Sequence, residues 1–300
     1  MSRDPSIPSL WQRLRHGFRI VHAAPDWESF VGKNWPDRIL QVSVTDRLHE
    51  KQGRSIGRWT QTANGARLSV YLKRHYKLPS LHGWLAVLFP RRPWSPGLEE
   101  HANLEWVRSQ GIPVPRVTAA GQFVGPWGRL QGFIAVEELD GMLALHEAVP
   151  LAYERLAPEE FDLWKRGLTA ELARLSRELH TRNAFHKDLY FCHFYIPEAY
   201  TRQIPAAWKN EVVMIDLHRL GRHRLLKTWF LVKDLAQLLY SSEVAGVTAR
   251  DRVRFWKLYR QSWPGRAPTQ ALRTLIRIKW RLYRRHNLRA ARSRPLRISP

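Results

Sequence analysis

"HKDLYFCHFYI", residues 186–196, sets two histidines, a lysine, an aspartate and the only cysteine of the chain among aromatic and aliphatic residues. Four readings compete for it: a metal site, a cysteine nucleophile, the catalytic loop of a phosphotransferase, or a core strand that happens to carry polar residues. As a metal site it is poorly built, because neither a helix nor a strand would point His186, Asp188, Cys192 and His193 to one face. Zinc sites draw spaced pairs from two elements, and the chain has no second Cys/His cluster of that spacing. Cys192 makes a poor nucleophile, since it sits among Phe191, Phe194 and Tyr195, and a lone cysteine in apolar surroundings acts mostly as a small hydrophobe.

The phosphotransferase reading demands partners elsewhere in the chain. Chemistry with ATP and Mg²⁺ needs a lysine for the phosphates, a carboxylate to fix that lysine, an aspartate for the acceptor hydroxyl, and further magnesium ligands. Lys73 closes the strand-like "VYLKRH", Glu100 follows in a helical segment, Asp188 lies two residues after His186, and Asp216 ends the apolar run "VVMIDL". Each alone has a bland explanation, a solvated strand-edge charge or a turn residue. Their order, in a chain that is strand-rich and then helix-rich, is what the chemistry requires.

The flanking pattern gives the architecture. "GRSIGRWTQT", Asn64-Gly65 and "ARLSVYLKRH" form two β-type runs joined by the dipeptide most favoured in tight hairpins. "SPGLEEHANLEWVRSQG" reads as a helix started by Ser95 and Pro96 and stopped by Gly111, and "IPVPRVTAAGQFVG" and "LQGFIAVEELDG" as further strands. Beyond about residue 141, Phe161, Trp164, Leu168, Leu172, Leu175 and Leu179 recur at helical spacing after Pro158. "FCHFYI" and "EVVMIDL" read as β-type runs, and "TWFLVKDLAQLLYSS" as another helix. The expected class is α+β with a small, β-rich N-lobe carrying one helix (41–138) and a larger, mainly helical C-lobe (139–300). Residues 1–40 read as an extension with a short basic amphipathic stretch, in which Leu10, Trp11, Leu14 and Phe18 share a helix face that docks on the protein itself or, as the alternative, meets a membrane surface. The apolar, aromatic and basic insert at 79–97 and the basic tail from about 271, with ten Arg or Lys and no acid, read as additions: each suits an exposed surface for an amphiphilic or anionic partner, and for the insert ordinary packing is the equal alternative.

Composition bounds the partners. At 300 residues, 44% apolar and with fourteen tryptophans, the chain can bury a sizeable core, which excludes whole-chain disorder. A single cysteine excludes an internal disulfide framework. "MSRDPSIPSLWQRLRHGFRI" has no apolar run long enough for a signal peptide, and no segment is apolar enough for a membrane span, so a cytoplasmic location is expected. The net charge of +23 predicts attraction to a polyanion: nucleic acid, an anionic membrane or an acidic glycolipid.

"GRSIGRW…VYLKRH" (53–75), "EEHANLEWVRSQGIPVP" (99–115), "FIAVEEL" (133–139), "FHKDLYFCHFYI" (185–196), "VVMIDLHRL" (212–220) and "VKDLAQLLYSS" (232–242) together resemble the protein-kinase-like superfamily. Within it they are similar to the lipopolysaccharide core sugar kinases acting on heptose or on 3-deoxy-D-manno-octulosonic acid (Kdo). Protein kinases carry asparagine five residues after the catalytic aspartate; "HxDxxxxH", with His193 there, is the sugar-kinase form, and "IDLHR" stands for Asp-Phe-Gly. The resemblance implies a bilobal protein-kinase-like fold with ATP and Mg²⁺ as cofactors. Lys73 would contact the α/β-phosphates and pair with Glu100 rather than Glu99 or Glu105. Asp188 would orient the sugar hydroxyl, Asp216 would bind Mg²⁺, and His193 would occupy the second ligand position, although imidazole suits hard Mg²⁺ poorly. His186 and Asp234 would support the loop, and backbone groups of Glu138 and Leu139 would meet adenine. Gly53 and Gly57 would let backbone approach the phosphates, with two glycines where protein kinases have three. The implied acceptor is a lipid-linked core oligosaccharide at the inner face of the inner membrane, with an anionic membrane surface as partner and nucleic acid disfavoured. The same fold acting on another glycan, a small molecule or a protein is the alternative.

Overall fold

The computed structural model of the chain describes residues 7–44, 46–51, 53–261, 263 and 269–292. It divides into two compact units, Met1–Trp106 with Pro115–Asp140, and Val107–Val114 with Gly141–Pro300.

The N-terminal unit is built on a six-stranded antiparallel sheet. In chain order its elements are α1 (Leu10–His16), β1 (Phe18–Ala23), α2 (Trp27–Val31), α3 (Trp35–Arg38), β2 (Asp46–Lys51), β3 (Arg54–Ala63), β4 (Ala66–His75), α4 (Ser80–Leu88), α5 (Pro96–Ser109), β5 (Val117–Gly125) and β6 (Arg129–Glu137). The strand order is β1-β5-β6-β4-β3-β2. The β3–β4 hairpin turns at Asn64 and Gly65, both at positive φ (51° and 77°), the pair of left-handed residues a two-residue hairpin needs. β4 alternates: Leu68, Val70 and Leu72 are buried on one face with Trp27, Trp35, Ile39 and Phe133, and Lys73 turns to the other.

Of residues 1–40, expected as an extension, Phe18–Ala23 form a strand of this sheet. Phe18 does not continue the α1 face; Gly17, at φ 71°, ends the helix, and Phe18 starts an edge strand paired with β5. A Cβ on Gly17 would stand 2.2 Å from the Val124 carbonyl oxygen, so only glycine permits that turn. Buried Arg74 ties the following segment down by donating to the Leu40 and Val42 carbonyls at 3.3 and 2.6 Å. The unit thus carries α1–α4 besides the single helix expected.

The C-terminal unit contains β7 (Met142–Ala144), α6 (Leu145–Arg155), α7 (Pro158–Thr181), β8 (Ala184–Phe185), β9 (Phe194–Pro197), β10 (Val213–Met214), β11 (Gly221–Arg222), α8 (Lys227–Ser241), α9 (Ala249–Arg260) and α10 (Gln270–Arg292). α7 buries the predicted stripe Phe161, Trp164, Leu168, Leu172, Leu175 and Leu179. Phe185, Leu231, Leu235, Trp256, Tyr259 and Ile276 form one core cluster from β8, α8, α9 and α10. The basic tail begins as α10, whose Ile276 is buried in that cluster and whose Trp280 Nε1 donates to Glu243 at 2.7 Å; its last residues, 293–300, lie outside the described residues. The runs expected as strands are shorter than they read. "FCH" forms a 3-10 turn before β9, and only Val213 and Met214 of "EVVMIDL" pair as strand. Among the described residues no helix is long and apolar enough to cross a membrane.

Candidate active site

In the N-terminal unit Lys73 and Glu100 form an ion pair. Lys73 Nζ donates to Glu100 Oε1 at 2.7 Å, with both side chains largely buried. The contact depends on how closely α5 approaches β6: a Cβ on Gly97 would lie 2.3 Å from the Phe133 carbonyl oxygen. Phe133 neighbours Ile134, which pairs with Lys73 in the sheet, and Glu100 follows Gly97 by three residues, just under one helical turn. Glu99 and Glu105 point to solvent. Gly53 turns between β2 and β3 at φ 73°, and Gly57 lies inside β3 opposite Leu72. The Glu138 amide donates to the Ser69 carbonyl at 2.9 Å. Its carboxylate is held by Arg58 at 2.7–2.8 Å, and Leu139 follows half-buried.

The C-terminal unit gathers the other predicted residues around the opening motif. Fully buried Asp234 accepts from the His186 and Lys187 amides at 2.8 Å each and lies 3.3 Å from His180 Nε2. One helical face of α8 continues the pattern: Gln237 Oε1 accepts from the Leu189 amide at 3.2 Å and Ser241 Oγ from the Phe191 amide at 2.9 Å. Positions 234, 237 and 241 share a face at helical spacing, so α8 holds the loop backbone at residues 186, 187, 189 and 191.

His186 Nε2 donates to the Ile215 carbonyl at 3.0 Å, joining the loop to the strand that delivers Asp216. Its Nδ1 is buried without a hydrogen-bond partner, and burial holds this imidazole's pKa below the ordinary value. His193 stacks on it, ring centroids 5.5 Å apart and 13° from parallel. His193 Nδ1 donates to the Asp188 carbonyl at 2.7 Å, which turns Nε2 to within 3.6 Å of Asp216 Oδ2. Burial lowers the His193 pKa, but the neighbouring Cys192 sulfur, the Asp188 carbonyl and the Asp216 carboxylate outweigh it and the net shift is upward.

Asp216 sits at φ 61°, ψ 51° at the head of a 3-10 turn, and its Oδ1 lies 2.7 Å from His218 Nδ1. Aspartate tolerates the left-handed conformation better than most residues, and such backbones concentrate at functional sites. Lys187 also holds positive φ (67°), between the two anchored amides. The Asp188 carboxylate meets the half-exposed Arg219 at 3.1 and 2.8 Å and, more weakly, Gln237 Nε2 at 3.4 Å. Lys233 stands near: burial depresses its pKa, and the charge of Asp188 opposes that.

Arg219, Gln237 and Ser241 escaped the sequence reading. The signal for the last two was present, since "DLAQLLYS" sets Asp, Gln and Ser on the apolar side of a helix, where a polar side chain needs a buried partner. Arg219 carried no such mark, being one arginine among many. Cys192 is a free thiol, and among the described residues no group of three or more His, Cys, Asp or Glu could hold a metal by itself. Asp216 does fit magnesium, which takes one or two protein carboxylates and completes its shell with phosphate and water.

A model of the lipopolysaccharide kinase (Kdo/WaaP) family matches residues 43–259. The lipopolysaccharide core heptose(I) kinase WaaP of Pseudomonas aeruginosa is 29% identical over 163 residues, 53% of this chain and 59% of that protein. WaaP of Escherichia coli K12 is 38% identical over 96 residues, 32% of this chain and 35% of its own length. The chain therefore spans about a third to three fifths of these curated relatives. A solved structure, WaaP in complex with acyl carrier protein, superposes with a TM-score of 0.59 at 23% identity over 91% of this chain and 98% of that one. That likeness carries the fold, the α+β, protein-kinase-like architecture expected from the motifs. Since the matched segment is well over half of its length, the chain belongs to the lipopolysaccharide kinase (Kdo/WaaP) family.

Proposed function

We propose that the chain is an ATP-dependent phosphotransferase that phosphorylates a sugar hydroxyl, of heptose or Kdo, in the lipopolysaccharide core. The observation that carries this reading is the convergence of Asp188, His193 and Asp216 on one loop surface, locked from behind by α8. Family membership and the Lys73–Glu100 pair support it.

In this reading Lys73 binds the α/β-phosphates of ATP and Glu100 fixes its position. Asp216 holds Mg²⁺, which when bound neutralises charge on the phosphates. His193, drawn toward its cationic form, donates from Nε2 to a phosphate or acceptor oxygen and leaves the metal to oxygen ligands. Asp188 exchanges its ion pair with Arg219 for the acceptor hydroxyl, aligns that oxygen with the γ-phosphorus and takes its proton. Arg219, half exposed, is then available to a phosphate oxygen.

The acceptor proposed is a lipid-linked core oligosaccharide, with the enzyme cytoplasmic and peripheral at the inner face of the inner membrane. The net charge of +23 suits that surface, where each well-placed basic residue contributes about 1 kcal/mol. Acyl carrier protein, named with the solved WaaP structure, is a second candidate partner. One observation favours it: an apolar cavity of about 270 Å³, lined by Trp164, Leu168, Leu235, Leu238, Trp256 and Ile276 among others, suits an acyl chain.

Transfer of labelled γ-phosphate from ATP to intact and delipidated core acceptors, with protein substrates in parallel and Asp188→Ala as control, tests the reading. Label on the core sugar, lost in the variant, is expected. Preferred labelling of protein, or undiminished transfer by Asp188→Ala, would overturn it.

A further inference from the structure

Apart from Gly97 at its end, the stretch "LPSLHGWLAVLFPRRPWSPG" (78–97) has no part in the chemistry above, yet its structure is unusual for a surface segment. In α4 only Ser80 and His82 carry polar side chains, and a helix apolar on every side is ordinarily buried in protein or lipid. Its inner face is satisfied, with Ala86 and Val87 fully buried against Val124 and Leu130. Its outer face leaves Leu81, Trp84 and Leu88 exposed, together with Phe89, and Leu81 keeps 66% of its surface in solvent.

Two other elements of the same unit pack on α4 and add side chains of the same kind. α1 contributes Leu10 and Trp11, the latter 75% exposed, and the turn Pro126–Gly128 contributes Trp127, 66% exposed. The juxtaposition is built into the backbone. A Cβ on Gly83 would stand 1.7 Å from the Gly128 carbonyl oxygen, so α4 and the turn touch main chain to main chain. Trp127 holds φ 57° and ψ 28°, a conformation that a bulky residue avoids unless its surroundings impose it. Seven large apolar side chains, three of them indoles, are thus exposed on elements that pack together.

Charge selects the occupant. No Asp or Glu occurs between Asp4 and Asp26 or between Glu50 and Glu99, whereas Arg15, His16, Arg91, Arg92 and Arg129 are exposed on or beside these elements. A second copy of the chain would set like charges against each other, and a single-stranded nucleic acid would stack bases on the aromatic rings but leave Leu10, Leu81 and Leu88 without an apolar partner. Tryptophan, leucine and arginine together, without acids, are the composition of segments that lie in a bilayer interface. We infer that this face docks on an anionic phospholipid bilayer, with Trp11, Trp84 and Trp127 at headgroup depth and the arginines on lipid phosphates. The inference rests on the reading of a lipid-linked acceptor, for which it supplies the surface that keeps the enzyme at the membrane.

The test is co-sedimentation of the full chain with vesicles of phosphatidylglycerol and phosphatidylethanolamine, against vesicles of phosphatidylcholine alone. The wild type binds the anionic vesicles and is released by salt. Arg91→Glu/Arg92→Glu and the triple variant Trp11→Ser/Trp84→Ser/Trp127→Asn each partition at least about tenfold less. Trp127→Asn alone controls for folding, because asparagine accepts the left-handed backbone: its Tm holds or rises while its binding falls. Phosphate transfer by the triple variant is unchanged on a delipidated acceptor and falls on one embedded in vesicles. Equal binding to both vesicle types, binding to neither, or variants that bind as the wild type does would overturn the inference. So would substitutions that turn a dimer into a monomer in sedimentation velocity without altering vesicle partition. A wild type that binds in the expected pattern but phosphorylates no core acceptor would sink the functional reading and leave the membrane inference standing.

Discussion

The loop that begins at His186 has two sides whose polar atoms differ in what they touch. On the side facing α8, Asp234, Gln237 and Ser241 accept from the amides of His186, Lys187, Leu189 and Phe191, and Asp234 is fully buried. On the opposite side, Asp188 meets Arg219, and Asp216 meets His218 and His193: side chain against side chain, each partly exposed. Bonds to buried backbone cannot be exchanged without unfolding the loop, whereas ion pairs at the surface can be traded for a substrate. Two aspartates of one loop region therefore do different work, one holding geometry and the other available to chemistry.

Substituting each in turn is the sharpest way to break that distinction. Asp188→Ala is expected to lower phosphate transfer by about 10²- to 10⁴-fold, the range for a positioned acid–base group. Its unfolding free energy in urea should stay within about 1 kcal/mol of wild type, because the Arg219 partner is half exposed. Asp234→Ala reverses the pattern: it strands two buried amides beside His180 and is expected to cost about 3–5 kcal/mol in the same urea titration. Hydrogen exchange at the His186 and Lys187 amides should accelerate with it. If the two variants lost stability equally, the loop's two sides would be one network.

The Lys73–Glu100 pair extends the comparison to the other unit, where the geometry is fixed by a close approach of helix to sheet rather than by amide bonds. Gly97→Ala sets a methyl group against the Phe133 carbonyl and must shift α5 or β6. The expected cost is about 1–3 kcal/mol in stability. Phosphate transfer should fall further than that loss explains, since a displacement of about 1 Å at a positioning group can reduce rate by two orders of magnitude. A variant with lowered Tm and full activity per folded molecule would separate Glu100 from the chemistry.

What could be read in the sequence follows the same division. Groups whose spacing is local were legible: the Asn64-Gly65 hairpin, the stripe of α7 and the His186-x-Asp188 motif each announce themselves within a few residues. Lys73 and Glu100 were legible in the order of the motifs, and their pairing through the family resemblance; the structure sets them 2.7 Å apart. The edge strand β1 was not, because "LWQRLRHGF" has helical periodicity through Phe18, and only the contact of Gly17 with Val124 breaks it. "FCHFYI" read as strand throughout because its residues favour β structure. The turn at 191–193 wins because it brings the His193 imidazole to the Asp188 carbonyl. Arg219 was hidden by abundance: one arginine among 49 basic residues has no local signature of its partner.

The two stacked histidines offer the finest test, because they lie on opposite sides of the division and titrate in opposite senses. His186 is held neutral by burial, so the unfolded chain binds more protons there than the folded one. Its contribution to stability is present at neutral pH and is lost as pH falls through about 6.5, with a slope of at most about 1.4 kcal/mol per pH unit. His193 has the reverse linkage. Its raised pKa makes the folded state the tighter proton binder, so its contribution is full below about 6.5 and disappears as pH rises through the folded value. Urea titrations from pH 5 to 8 should therefore lose acid-side slope in His186→Gln and neutral-side slope in His193→Gln. If His186→Gln instead altered the neutral side, its imidazole would be exchanging protons with the Asp216 face, and the buried ring would belong with the reacting groups rather than with the frame that holds them.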